Sequence, residues 1–313
     1  MKTIVTTSPD AAAETINSGG ITAFPTETVY GLGADIFDEK AIANIFAAKR
    51  RPEDNPLIAH VGKLAQIDVL VKKIPAAAAK FIDEFFPGPL TLVLQKSDAV
   101  PFIATANLET IGVRMPQSEL ARTFLSKCNS PVVAPSANLS GKPSPTTWEA
   151  VFEDLNGRID CILKGDATEI GLESTVVDCT GEIPLILRSG AVTLEQLRKV
   201  VPETMPYITK KDEKPRSPGL KHRHYAPRAR VILIDSGEEV TKSRSAAYIG
   251  MRKPLKDFEF VEIYDSVESY ARAVFDFFRK CDARGITEIY CETVEEKGIG
   301  HALMDRLKRA SEG

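Results

Sequence analysis

The chain has 313 residues, of which 43% are hydrophobic and 27% charged, and a formal net charge of −3. This is an ordinary soluble composition, long enough for two domains and not suited overall to gripping polyanions. Five cysteines, at 128, 161, 179, 281 and 291, show neither CxxC nor metal-type spacing, which argues against a disulfide framework or a zinc module and for a reducing compartment. The N-terminal apolar stretch is too short for a signal peptide and no apolar run approaches bilayer length, so the expected location is cytosolic, away from membranes.

In chain order, Ser8-Pro9 opens an alanine-rich helix that Gly19-Gly20 closes, and a strand follows at 21–24. Asp38 can cap the next helix, in which Ile42, Ile45, Phe46 and Lys49 recur with helical spacing before Pro52 ends it. Short apolar runs at 57–61, 90–94, 111–115, 131–134, 161–163, 174–178 and 185–188 read as strands, with amphipathic helical stretches between several of them and a last helix at 193–201. The alternation predicts an α/β catalytic domain over 1–201 with an open, twisted, mixed sheet. From 202 to 228 prolines alternate with Lys and Arg, as in an extended linker. Strands at 231–234, 246–249 and 288–291, with a helix around 269–281 and another at the end, predict a second, smaller α/β domain over 229–313.

Candidate ligand groups lie beside strand and helix ends, where α/β folds place their sites. Residues 24–33, Phe-Pro-Thr-Glu-Thr-Val-Tyr-Gly-Leu-Gly, are either a tight loop with satisfied hydroxyls or a place where backbone closely approaches a ligand. Lys49 and Arg51, with Asn55 nearby, either neutralise a helix dipole or hold a polyphosphate. Ser136 and Asn138 suit an ordinary turn or phosphate oxygens. Arg114, inside a strand, requires a carboxylate from the protein or from a ligand. His60 is by itself a satisfied core histidine, and Glu173-Ser174-Thr175 can simply pair with neighbouring strands. Gly141-Lys142 lacks the upstream glycine of a P-loop, Gly31-x-Gly33 lacks the third dinucleotide-type glycine, and no HExxH or GxSxG occurs. No metal-binding residues are predicted.

Together, residues 24–33, Lys49-x-Arg51-Pro52 with Asn55-Pro56-Leu57, Pro87-Gly88-Pro89, Gly112 to Pro116, Ala134-Pro135-Ser136-Ala137-Asn138 and Glu173 to Val176 closely resemble the threonylcarbamoyl-AMP synthase family. The family's catalytic unit is the YrdC domain, and the linker's Ser217-Pro218-Gly219 and His222-x-His224-Tyr225-x-Pro227 resemble the segment that marks its long, two-domain form. The resemblance implies an enzyme that converts ATP, L-threonine and bicarbonate to threonylcarbamoyl-adenylate and pyrophosphate, the first step of tRNA threonylcarbamoyladenosine formation. It places Lys49, Arg51, Ser136 and Asn138 in the catalytic signature and Thr28, His60, Arg114, Ala134 and Ser174 around threonine. Arg51, Asn55, Thr110, Ser136, Ser144, Arg188 and Tyr225 fall where ATP is held, and Mg2+ is expected to arrive with ATP. Downstream tRNA threonylcarbamoyl transferase proteins are the implied partners, with weak tRNA binding open. The linker with Tyr225 is expected to close over the cleft. Rival readings are an RNA-binding module and a carbamoyltransferase working through a carbamoyl-adenylate.

Overall fold

The structure is a computed structural model and describes residues 2–207, 226–235 and 245–312. The chain starts with an exposed edge strand, β1 (Ile4–Thr6), and then α1 (Pro9–Asn17), which Ser8 caps by accepting from the Ala11 N–H. Next come β2 (Thr22–Phe24), β3 (Gly31–Asp35) and α2 (Glu39–Lys49). Asp38 caps α2 through the N–H groups of Lys40 and Ala41, and Ile42, Ile45 and Phe46 point into the core. Burial of each of these side chains contributes about 1.5–3 kcal/mol. The chain leaves the helix through Arg50, in the left-handed region with φ 52°.

There follow β4 (Ile58–His60), α3 (Ala76–Phe85), β5 (Leu90–Gln95), α4 (Phe102–Thr105), β6 (Thr110–Arg114), α5 (Glu119–Lys127), β7 (Val132–Ala134) and α6 (Trp148–Leu155). The first unit ends with β8 (Cys161–Leu163), β9 (Thr175–Asp178), β10 (Leu185–Arg188), α7 (Leu194–Val200) and β11 (Met205–Pro206). Its sheet runs β1-β8-β2-β3-β7-β4-β6-β5-β9-β10-β11 with mixed strand directions. Its fold class is therefore the open mixed α/β sheet expected.

The second unit holds β12 (Arg230–Ile234), β13 (Ala246–Gly250), β14 (Phe260–Ile263), α8 (Val267–Arg284), β15 (Glu288–Glu292) and α9 (Gly300–Ser311). Its sheet is parallel throughout, in the order β12-β15-β13-β14. Ser266 caps α8, and Gly285, left-handed at φ 70°, ends it.

Three details differ from the linear reading. β11 pairs with β10 and Thr204 is buried, so ordered pairing in the first unit reaches Pro206, beyond the expected boundary at 201. Arg228 already hydrogen-bonds Asp282 of α8. Gly33 serves strand packing: a Cβ there would lie 2.6 Å from Val132 Cγ1. Most of the linker, including Tyr225, lies outside the described residues, as does the expected closure over the cleft.

The two units share buried surface. Val29 and Leu172 of the first pack into the core that Tyr270, Val274, Phe277 and Leu303 form in the second. A Cβ at Gly171 would meet the Arg272 carbonyl at 2.3 Å, so the backbones abut. All five cysteines are buried free thiols. Among the described residues, no helix is long and apolar enough to cross a membrane.

Candidate active site

Strand register builds the floor of a cleft. β4 lies between β6 and β7, with His60 opposite both Arg114 and Val132, and Ile58 opposite both Gly112 and Ala134. Alternate residues of a strand share a face, so His60, Arg114, Ile58 and Ala134 lie on one side of the sheet. They line a cleft of about 660 Å³ open to solvent, together with Thr26, Thr28, Arg51, Ser136, Asn138, Lys142, Ser144, Glu173, Ser174 and Arg188.

At one end the guanidinium of Arg114 is buried and held on three sides. Nη2 donates to Glu27 Oε1 at 2.6 Å, Nη1 to Thr28 Oγ1 at 2.8 Å and Nε to the Gly88 carbonyl at 3.3 Å. Glu27 is itself fixed, because Oε2 accepts from the N–H groups of Gln117 and Ser118. An arginine has five N–H donors, so one remains on each terminal nitrogen, an arrangement suited to a ligand carboxylate. His60 stands beside it with Nδ1 3.0 Å from the Ile58 carbonyl and its ring edge-on to Phe24. Burial, reinforced by the Arg114 charge, pulls its pKa down to about 3. The imidazole is therefore neutral at pH 7, and because the carbonyl can only accept, Nδ1 carries the proton and Nε2 is an acceptor.

The other end is a loop after β7. Ser136 Oγ donates to Asn138 Oδ1 at 2.6 Å, and Asn138 Nδ2 donates to the carbonyls of Leu139 and Lys142. Lys49 is nearly fully buried, and its Nζ donates to the carbonyls of Ser136 and Asn138, each at 2.5 Å. It does not line the cleft. Burial, then the charge of Arg51, hold its pKa well below the usual lysine range. Amine and ammonium alike can donate to two carbonyls, so this contact does not require the charge. Lys49, which the resemblance places in the catalytic signature with Arg51, here ties down the Ser136–Asn138 loop from beneath.

The far wall joins residues distant in sequence. Ser144 Oγ donates to Glu173 Oε1 at 2.6 Å, while Glu173 Oε2 accepts from Arg306 Nε at 2.9 Å. Burial opposes charge on Glu173, but Arg306, Arg188 and the Ser144 hydroxyl more than offset this and hold its pKa below the usual range. Ser174 Oγ lies 2.8 Å from Thr91 Oγ1 and accepts from Arg188 Nη2 at 3.2 Å. Asp154, behind the loop, accepts from Lys142, from Arg279 and from the Leu139 N–H. Arg279 Nη2 also donates to the Pro143 carbonyl at 2.5 Å.

Of the residues singled out in the sequence, Thr28, Arg51, His60, Arg114, Ala134, Ser136, Asn138, Ser144, Ser174 and Arg188 converge on this cleft. Asn55 is buried beside it, its carbonyl 3.4 Å from Arg51 Nη2. Thr110 lines a smaller cavity with Pro56, Leu108 and Val176. Lys142 and Glu173 line the cleft without having been singled out as site residues, and Glu27, Asp154, Arg279 and Arg306 brace it. Among the described residues, no group of three His, Cys, Asp or Glu is placed to hold a metal ion.

Comparison with known proteins gives this geometry its context. Residues 14–190 match a family model described as telomere recombination (Sua5_yciO_yrdC), and residues 192–312 match the threonylcarbamoyl-AMP synthase C-terminal domain. A threonylcarbamoyl-AMP synthase of Pyrococcus abyssi is 44% identical over 96% of this chain and 93% of its own length. One from Bacillus subtilis is 39% identical over 96% of this chain and 92% of its own length. The crystal structure of P. abyssi Sua5 complexed with L-threonine superposes with a TM-score of 0.91 at 43% identity, covering 97% of this chain and 94% of that one. With near-complete coverage by both relatives and matches to both domains, the chain belongs to the threonylcarbamoyl-AMP synthase family.

Proposed function

We propose that this protein condenses L-threonine, bicarbonate and ATP to threonylcarbamoyl-AMP and pyrophosphate, the first step in forming tRNA threonylcarbamoyladenosine. The observation that carries the reading is one cleft that gathers a braced arginine fork at Arg114 with Arg51, Lys142 and Arg188 and the hydroxyls of Ser136 and Ser144.

In this reading the threonine carboxylate takes the two remaining N–H groups of Arg114, while Thr28, His60, Ala134 and Ser174 shape the pocket for its side chain and amine. The amine nitrogen attacks bicarbonate carbon and water leaves, giving a carbamate. A carbamate oxygen then attacks the α-phosphorus, and the bond to the bridging oxygen of pyrophosphate breaks. Both partners are anions, so fixed positive charge is needed where they meet. Arg51, Lys142 and Arg188 supply it, Ser136 and Asn138 meet the phosphates once the Ser136 hydroxyl turns from Asn138 to a phosphate oxygen, and Lys49 keeps their loop in place. Asn55, Thr110 and Tyr225 complete the proposed nucleotide contacts.

Magnesium enters with ATP. The acidic side chains at the cleft, Glu27 and Glu173, are each engaged by an arginine, so phosphate oxygens and water are its natural ligands. The product passes to the tRNA threonylcarbamoyl transferase proteins downstream, in the cytosol, where ATP and tRNA occur together.

The test is incubation of pure protein with ATP, Mg2+, bicarbonate and labelled amino acids, measuring pyrophosphate and the adenylate. Product should form with threonine and far less with serine. Equal rates with serine, or pyrophosphate release independent of bicarbonate, would overturn the reading.

A further inference from the structure

We infer that Arg306, at the end of the second domain, is a positioning residue for the nucleotide end of the cleft, acting through Glu173 on Ser144 and through Ser189 on the wall that carries Arg188. The inference deepens the proposed function and rests on its assignment of that end to ATP.

Arg306 is 0% exposed although it sits on α9, far from the cleft in sequence. Nε donates to Glu173 Oε2 at 2.9 Å, Nη2 to the Ser189 carbonyl at 3.1 Å and Nη1 to Asp305 Oδ2 at 2.7 Å. A guanidinium has the rigid fork needed to hold a carboxylate and a carbonyl at a fixed separation, which an ammonium lacks. The two segments it joins are in backbone contact, since a Cβ at Gly190 would lie 2.3 Å from the Thr175 nitrogen. Arg306 thus fixes two adjoining strips of cleft wall from behind without touching the cleft itself.

The hydrogen-bond directions make this more than packing. Ionised Glu173 can only accept, so the Ser144 hydroxyl proton is committed to it, and Ser144 has only lone pairs left for a ligand. A nucleoside hydroxyl or amino group matches such an acceptor. Without Arg306 the buried carboxylate is left with the charge of Arg188 acting on it, which draws Arg188 away from the Ser174 hydroxyl and carbonyl it now holds. The second domain in this way completes the orientation of groups that belong to the first.

The experiment uses full-length protein carrying Arg306→Met, Ser144→Ala, or both, with melting temperature, KM for ATP, kcat and the threonine dissociation constant read for each. Arg306→Met should raise KM for ATP about tenfold, with a smaller loss of threonine affinity through the Arg188–Ser174 contact, as expected when one oriented contact is lost. Because both changes act on one chain of contacts, the double variant should be no worse than the poorer single variant. A folded Arg306→Met enzyme with KM for ATP within about twofold of wild type, or effects that multiply in the double variant, would overturn the inference. If Arg306→Met does not fold, Arg306→Lys keeps the charge and loses the fork; it should show an intermediate KM and the same non-additivity, and a wild-type KM would count against the role. Wild-type protein that fails to release threonine-dependent pyrophosphate sinks the proposed reaction alone, and the arginine's role is then read from the dissociation constant for ATP.

Discussion

Two walls of the cleft use the same device with opposite polarity. On one wall an arginine, Arg114, lines the cleft and a carboxylate, Glu27, braces it from behind; on another a carboxylate, Glu173, lines the cleft and Arg306 braces it. The first pair lies within one domain, whereas the second bridges two. A site for a small anionic substrate is therefore built by the first domain's own sheet, and the end assigned to the nucleotide depends on how the second domain is docked. A buried ion pair adds little net stability because both groups are desolvated, but loss of one partner is costly. Both pairs should accordingly be sensitive to single substitutions.

The sharpest way to break the symmetry is Arg114→Ala. It strands Glu27 in the interior and should cost about 3–5 kcal/mol of stability while removing threonine-dependent turnover, measured by denaturant unfolding and pyrophosphate release. Arg114→Lys should restore much of the stability and little of the turnover, since an ammonium cannot fork onto a carboxylate. Stability and turnover that recover together would show that charge alone matters at that end.

Arg279→Ala probes the interdomain side more gently. Asp154 keeps Lys142 and the Leu139 N–H, so the expected cost is about 1–3 kcal/mol, with a raised KM for ATP because the Pro143 carbonyl loses its partner. An effect on threonine affinity alone would place the loop at the wrong end of the cleft.

A further test uses pH. Folded His60 stays neutral down to about 3, whereas the unfolded side chain takes up a proton below about 6.5. The unfolded state therefore binds more protons across that window, and stability falls as pH falls, by at most about 1.4 kcal/mol per pH unit. His60→Gln should flatten this part of the stability profile. A profile unchanged by that substitution would mean that His60 titrates normally.

The sequence makes the ends of the reading unequally visible. α1 and α2 are legible because Ser8 and Asp38 cap them and their apolar residues recur with helical period. β1 and β14 escape notice because each is a short edge strand with exposed apolar residues, Ile4, Val5, Val261 and Ile263, and β3 because two of its five residues are glycine. Many cleft-lining hydroxyls and charged groups fall inside recognisable motifs. Their pairings are not legible there, because Glu27 meets Arg114 across 87 positions, Asp154 meets Arg279 across 125 and Glu173 meets Arg306 across 133. No periodicity links residues so far apart. Lys49 shows a further limit: its place in a motif is readable, but its contacts with the Ser136 and Asn138 carbonyls are set by tertiary packing.

The most direct measurement is a crystal structure of the full chain with L-threonine and a non-hydrolysable ATP analogue. The threonine carboxylate should be forked by Arg114, and the triphosphate should run past Ser136 and Asn138 among Arg51, Lys142 and Arg188. A triphosphate bound away from those residues, or a threonine carboxylate out of reach of Arg114, would contradict the account.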